Sequence, residues 1–126
     1  MTVDRNLLFA QLEVAVERLN APAEEQVAYL RALGVLPSAD ELALEFGDVA
    51  PAAVIPGSGL TTAQRAAVEE LDEVLDTLSG PEYASLWTVD GLRSDPRWAR
   101  IRSTAATALH ELRRSGPPLE PPPRTS

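Results

Sequence analysis

The stretch Thr61-Thr62-Ala63-Gln64-Arg65-Ala66-Ala67-Val68-Glu69-Glu70-Leu71-Asp72-Glu73-Val74-Leu75-Asp76-Thr77-Leu78-Ser79-Gly80-Pro81 decides the fold class. It opens with Thr61-Thr62-Ala63-Gln64, a capping box in which the threonine oxygen and the glutamine side chain each satisfy an orphan N–H of the first turn. Ala67, Val68, Leu71, Val74, Leu75 and Leu78 then recur at helical spacing on one face, and Ser79-Gly80-Pro81 ends the run. The opposite side carries Glu69, Asp72, Glu73 and Asp76. This is an amphipathic helix with an acidic outer face, and it needs other helices to cover its apolar stripe.

Working outward, the same period recurs. A first helix from about Val3 to Leu19 places Leu8, Leu12, Ala15, Val16 and Leu19 together. Asn20 offers a cap before Pro22, and a second helix to Leu33 buries Ala23, Val27, Leu30 and Leu33. Gly34 supplies its left-handed stop, with Val35 or Leu36 folding back over the last turn. Ser38-Ala39-Asp40-Glu41 reads as another capping box, opening a short helix that ends near Gly47. Asp48 to Leu60 holds Pro51, Pro56, Gly57 and Gly59, which predicts a long ordered loop. Beyond Pro81, Glu82 to Trp87 forms a turn or two, and Thr88 caps a short helix through Leu92. Asp95 then caps a last helix with Pro96 in its first turn and Trp98, Ile101, Ala105, Ala108, Leu109 and Leu112 on one side.

No alternation of period 2 and no internal repeat interrupts this pattern. The expectation is an all-α bundle of four main helices plus one or two short ones, forming a single domain over residues 1–115. Residues 116–126, rich in proline, read as a disordered or polyproline-like tail.

Composition narrows the function classes. Zero cysteine excludes disulfides, thiolate metal sites and a cysteine nucleophile. No apolar run reaches the roughly 20 residues needed to cross a bilayer, and Met1-Thr2-Val3-Asp4-Arg5 lacks the features of a signal peptide, so a cytoplasmic protein is expected. All 11 basic residues are arginine, so no lysine can serve as a base, and the bias points to a GC-rich genome. His110, the single imidazole, falls about 120° from Trp98 at 100° per residue, away from the core. No enzyme is read from these residues, and no cofactor or metal is expected. Pro56-Gly57-Ser58-Gly59 resembles part of a phosphate loop but lacks the Gly-Lys-Ser/Thr continuation, which leaves a turn into the Thr61 cap. Glu69, Asp72, Glu73 and Asp76 read as a solvated face sooner than as a cation site, since no second element with ligands is evident.

Charge is unevenly distributed along the chain. Met1 to Asp90 carries 4 arginines and 16 acids, net −12, whereas Gly91 to Ser126 carries 7 arginines and 3 acids, net +4. Two readings follow. The last helix packs beside the acidic fourth helix and pairs with it, or Arg93, Arg97 and Arg100 form a positive strip and the four carboxylates an acidic one, each open to a partner. Helices two and three, joined by Gly34 to Ser38, match a helix-turn-helix in spacing. The second of them presents Asp40, Glu41 and Glu45 to any phosphate, which argues against sequence-specific nucleic acid binding.

Leu7, Ala10 and Val14 give the first helix a second apolar side. It is covered by the Asp48 to Leu60 loop, or it seeds a homodimer or fits a partner groove. Trp87 and Trp98 read as core anchors, or as a hot spot if exposed.

Leu86-Trp87-Thr88-Val89-Asp90-Gly91-Leu92 followed by Pro96-Arg97-Trp98 resembles a pattern in uncharacterised small all-α actinobacterial proteins. The resemblance covers the last third of the folded chain and implies a helical class and a source, with no activity. Together these readings lead to a non-enzymatic acidic interaction module, of the immunity-protein or adaptor type, that binds a basic protein partner. The alternative is a self-associating subunit joined through Leu7, Ala10 and Val14.

Overall fold

A computed structural model describes residues 5–34 and 38–115. These residues are all-helical apart from a lone bridge between Ser38 and Thr88. The elements are α1 (Arg5–Asn20), α2 (Ala23–Leu33), α3 (Glu41–Val54), α4 (Thr62–Thr77), a 3-10 segment (Pro81–Trp87), α5 (Val89–Ser94) and α6 (Arg97–Ser115). Helix α1 is flanked by α3 and α6, and α4 is flanked by the same two, so the four enclose a common core. Helix α2 rests on α5, which packs on the 3-10 segment and closes one end.

The α4 stripe is buried as its spacing predicts, from Ala67 to Leu78, and the α6 stripe from Trp98 to Leu112 meets it. The Thr61 capping box is formed in both directions. Gln64 N–H donates to Thr61 Oγ1 (3.1 Å), and Thr61 N–H donates to Gln64 Oε1 (2.8 Å). The Gln64 amide also donates to the Glu111 and Leu112 carbonyls at the end of α6 (3.4 Å each), tying the start of one helix to the finish of the other. Thr88 and Asp95 act as caps, accepting from Gly91 N–H (3.0 Å) and Arg97 N–H (2.9 Å). Gly34 takes the left-handed conformation (φ 74°) that closes α2.

Several expectations are corrected. Helix α3 does not stop near Gly47 but continues through Pro51 to Val54, so the loop before Thr61 is half the expected length. Proline forfeits one backbone bond, to the carbonyl four residues earlier. That carbonyl belongs to Gly47, and both residues are exposed, so it is open to solvent while Leu42, Phe46, Ala50 and Ala53 stay buried on the inner side. The Ser38 capping box is absent. Asp40 is the N-cap, and the Ser38 hydroxyl instead donates to the Asp40 carboxylate. Asn20 ends α1 without capping α2, whose N-cap is Pro22. On α1 Phe9 is buried and Leu8 only half-buried, and on α2 Leu33 is exposed while Gln26 is buried. The expectations for Val3, for Val35 and Leu36, and for the tail fall outside the described residues.

The two tryptophans meet edge-to-face, ring centroids 5.4 Å apart. Trp98 is fully buried and donates to the Leu86 carbonyl (2.8 Å), whereas Trp87 is half-buried and donates to the Leu78 carbonyl (2.9 Å). Each indole thereby ties the 3-10 segment to a long helix without leaving its N–H unpaired.

Candidate interaction surfaces

The arginines of the last third are mostly consumed inside the molecule. Arg113 on α6 donates to Glu13 (3.0 Å) and Glu17 (2.9 Å) of α1, and Arg93 donates to both carboxylate oxygens of Glu24 on α2 (3.0 and 3.1 Å). Arg97 is held by Asp95 (2.7 Å) and lies over the Tyr83 ring, and these two hydrogen bonds from Arg97, side chain then backbone, hold the Asp95 carboxyl below the usual carboxylate range. Arg114 turns to Glu111 of its own helix (3.5 Å). The expected positive strip is therefore two-thirds neutralised, and of Arg93, Arg97 and Arg100 only Arg100 is exposed with no side-chain partner among the described residues.

Arg102 is spent most completely. Its guanidinium donates to the Ala21 carbonyl (3.1 Å), the Leu92 carbonyl (2.7 Å) and the Gln26 side chain (2.7 Å) while lying beside the Trp98 ring. Gln26 in turn donates to the Arg18 and Leu19 carbonyls at the end of α1 (2.9 and 3.2 Å). Burial without a facing carboxylate lowers the Arg102 pKa. This network joins α1, α2, α5 and α6 through carbonyls that lack helical partners of their own.

The α4 carboxylates stand in a different condition. Glu69, Asp72, Glu73 and Asp76 are all exposed, and among the described residues none enters an ion pair. The expectation that α6 arginines pair with α4 is overturned, although the two helices pack closely. At roughly 100° per residue, Arg102 and Arg113 lie about 40–60° from Trp98, on the side where α1 offers Glu13 and Glu17. Among the described residues no group of three or more His, Asp or Glu is placed to hold a metal ion. His110 is exposed on α6.

The Leu7, Ala10 and Val14 side of α1 is not covered by residues 48–60. Leu7 is 56% and Val14 42% exposed, because Asp48 to Val54 belong to α3 and reach only its edge, where Asp48 and Val49 share a shallow groove with Ala10 and Val14. Nor do α2 and α3 form a helix-turn-helix unit, since α3 packs on α1 and α4 and α2 on α5. They touch through Tyr29, whose hydroxyl donates to Glu45. Arg18 holds the other Glu45 oxygen (3.2 Å), its guanidinium 3.9 Å from the Tyr29 ring centre. Burial, then the bond to Glu45, pushes the Tyr29 hydroxyl up to about 12.

One feature of this surface has no counterpart in the sequence reading. A groove of about 490 Å³ lies between α3, the end of α4 and the 3-10 segment, lined by Leu44, Leu75, Pro81, Ala84 and Trp87, with Asp40 at its rim. Leu44 is 56% exposed. Its signal is a large apolar residue about 200° from Leu42, off the buried stripe, in a helix whose length the prolines disguise. Ser58, from the glycine-bearing loop, is buried, and its hydroxyl accepts from Leu60 N–H (3.3 Å), which is the role of a turn. Comparison of the chain with family models, with curated proteins and with solved structures returns no match.

Proposed function

We propose that this chain is a non-enzymatic acidic interaction protein of the immunity-protein or adaptor type, acting in the bacterial cytoplasm and binding a basic protein partner through Glu69, Asp72, Glu73 and Asp76. One observation carries the reading. The α5 and α6 arginines Arg93, Arg97, Arg102, Arg113 and Arg114 are engaged away from this face, and among the described residues no arginine forms an ion pair with it. Four carboxylates left together on one helix repel one another, which costs stability unless a cation relieves them. An arginine- or lysine-bearing surface does so, and such a face speeds encounter by steering. Arg100 would sit outside that contact and add nothing to it.

The test is capture from nuclease-treated host extract with tagged wild type and with a variant carrying Glu69→Gln, Asp72→Asn, Glu73→Gln and Asp76→Asn. The expected result is one stoichiometric partner released by added salt and absent from the variant's eluate. A partner retained equally by both proteins would refute the assignment of this face.

A second reading keeps an observation of its own, the exposure of Leu7 and Val14. Self-association through Leu7, Ala10 and Val14 predicts a dimer by light scattering that Leu7→Glu with Val14→Glu converts to a folded monomer. A wild type that is monomeric at high concentration excludes it.

A further inference from the structure

We infer that the groove between α3, the end of α4 and the 3-10 segment receives the apolar face of a basic amphipathic segment of a partner protein. The inference rests on the function proposed above and states which part of the partner is recognised. Three observations converge. The groove floor is apolar, built by Leu44, Leu75, Pro81, Ala84 and the half-buried Trp87. Asp40 is the only charged residue among those lining the groove. Asp40 lies on one side, and the Glu82 carboxylate is folded over Gly80, so closely that a Cβ built there would stand 2.6 Å from one of its oxygens. The groove also runs directly into the α4 face. At about 100° per residue, Asp72 is some 60° and Asp76 some 100° around the helix from Leu75.

An apolar slot bordered by carboxylates selects a ligand with apolar side chains on one face and cations on its flanks. Amphipathic helices laid in grooves have this composition. A second copy of this chain fits poorly, because at net −8 it would bring like charge to the rim, and its Arg93, Arg97 and Arg113 are already paired. Phosphate-bearing ligands meet the same repulsion.

Trp87 lines the groove while Trp98 is fully buried, so intrinsic fluorescence reports occupancy. The probe is a synthetic peptide of roughly 14 residues, long enough to become helical when bound, with leucines at i, i+3, i+4 and i+7 and lysines on the flanks. The full chain should bind it with a change in tryptophan emission and amide shifts centred on Leu44, Leu75 and Ala84. Leu44→Glu and, separately, Ala84→Glu should each weaken binding at least tenfold. Both positions are exposed, so the variants should melt as wild type does. Replacing the peptide leucines with serine should abolish binding.

If the serine peptide binds equally well and Leu44→Glu has no effect, the groove is not the site, while the acidic face survives. If binding is lost in Leu44→Glu yet unchanged when the four α4 carboxylates are neutralised, the acidic-face reading fails and apolar docking stands. Absence of binding by either peptide overturns both. Tighter binding after removal of residues 116–126, with shifts at the same amides, would assign the groove to the chain's own C-terminal segment and overturn the partner assignment.

Discussion

The junction where α1, α2, α5 and α6 meet and the outer side of α4 are built from the same few residue types and treat charge in opposite ways. At the junction, Arg102 serves three acceptors, one in the turn between α1 and α2, one on α2 and one on α5, and Arg93 is closed onto Glu24. Along α4, four carboxylates face water without a cation. The basic last third thus cancels part of the acidic excess, on α1 and α2, and leaves the α4 face untouched. Arginine reaches the backbone carbonyls and the α1 acids because α6 turns that side toward them, and Arg93 reaches Glu24 of α2 from α5. Complementary totals along a sequence do not imply contact in space, and charge that geometry leaves unpaired is available for other molecules.

The comparison breaks first, and with the largest effect, at Gly91. A Cβ there would stand 2.3 Å from the Leu86 carbonyl oxygen and 2.4 Å from that of Ser85. These are backbone atoms and cannot swing aside. Gly91→Ala should therefore cost about 3 kcal/mol by forcing α5 off the 3-10 segment, read as a fall in urea midpoint. Gly47→Ala, whose added carbon meets nothing within 4 Å, is the control and should be neutral or stabilising.

Arg102 comes next. Arg102→Ala leaves buried Gln26 without its donor and two carbonyls open, and about 2 kcal/mol of destabilisation is expected. In a double-mutant cycle with Gln26→Ala the two losses should not add, because each removes the same bond. Additive losses would mean that the residues act through separate contacts.

These positions also show where sequence reasoning succeeds. The Thr61 box, the Thr88 and Asp95 caps and the α4 and α6 stripes are local signals, and each forms because nothing distant competes. Ser38-Ala39-Asp40-Glu41 has the same local pattern and fails. Ala39 is buried and its N–H donates to the Trp87 carbonyl (2.9 Å), while Ser38 bridges to Thr88, so tertiary contact starts the helix two residues later. Pro51 hid the length of α3 because its local cost falls on the solvent side. Pairings such as Arg113 with Glu13 and Glu17 depend on helix order, which spacing within one helix does not encode. The candidate face was legible as a row of acids. That it is unpaired, and that a groove adjoins it, required the neighbours of α4.

A smaller effect separates a paired carboxylate from the unpaired ones by pH. The Tyr29 hydroxyl is protonated more firmly in the folded protein than in the unfolded chain, where tyrosine titrates near 10. Its contribution to stability is therefore complete below about pH 10 and disappears as pH rises toward about 12. Absorbance at alkaline pH should reveal one phenol ionising near 12. Glu45→Gln should bring that phenol down, since it removes the charged acceptor. A Tyr29 that titrates like free tyrosine would show that Glu45 does not hold it.

The smallest expected change is the most diagnostic of the comparison. Neutralising Glu69, Asp72, Glu73 and Asp76 together removes like-charge neighbours at i,i+3 and i,i+4, each unfavourable by a few tenths of a kcal/mol. It also withdraws negative charge from the latter half of a helix, where the macrodipole opposes it. Asparagine at two positions gives back part of the gain through lower helix propensity. The balance should be a stabilisation of about 0.5 kcal/mol at low salt that vanishes near 1 M salt, where screening extends over only about 3 Å. A loss of stability larger than that would mean that these carboxylates hold the fold together. A small gain, combined with loss of the basic partner, would mean that the protein carries a standing electrostatic cost on α4 whose relief comes from binding.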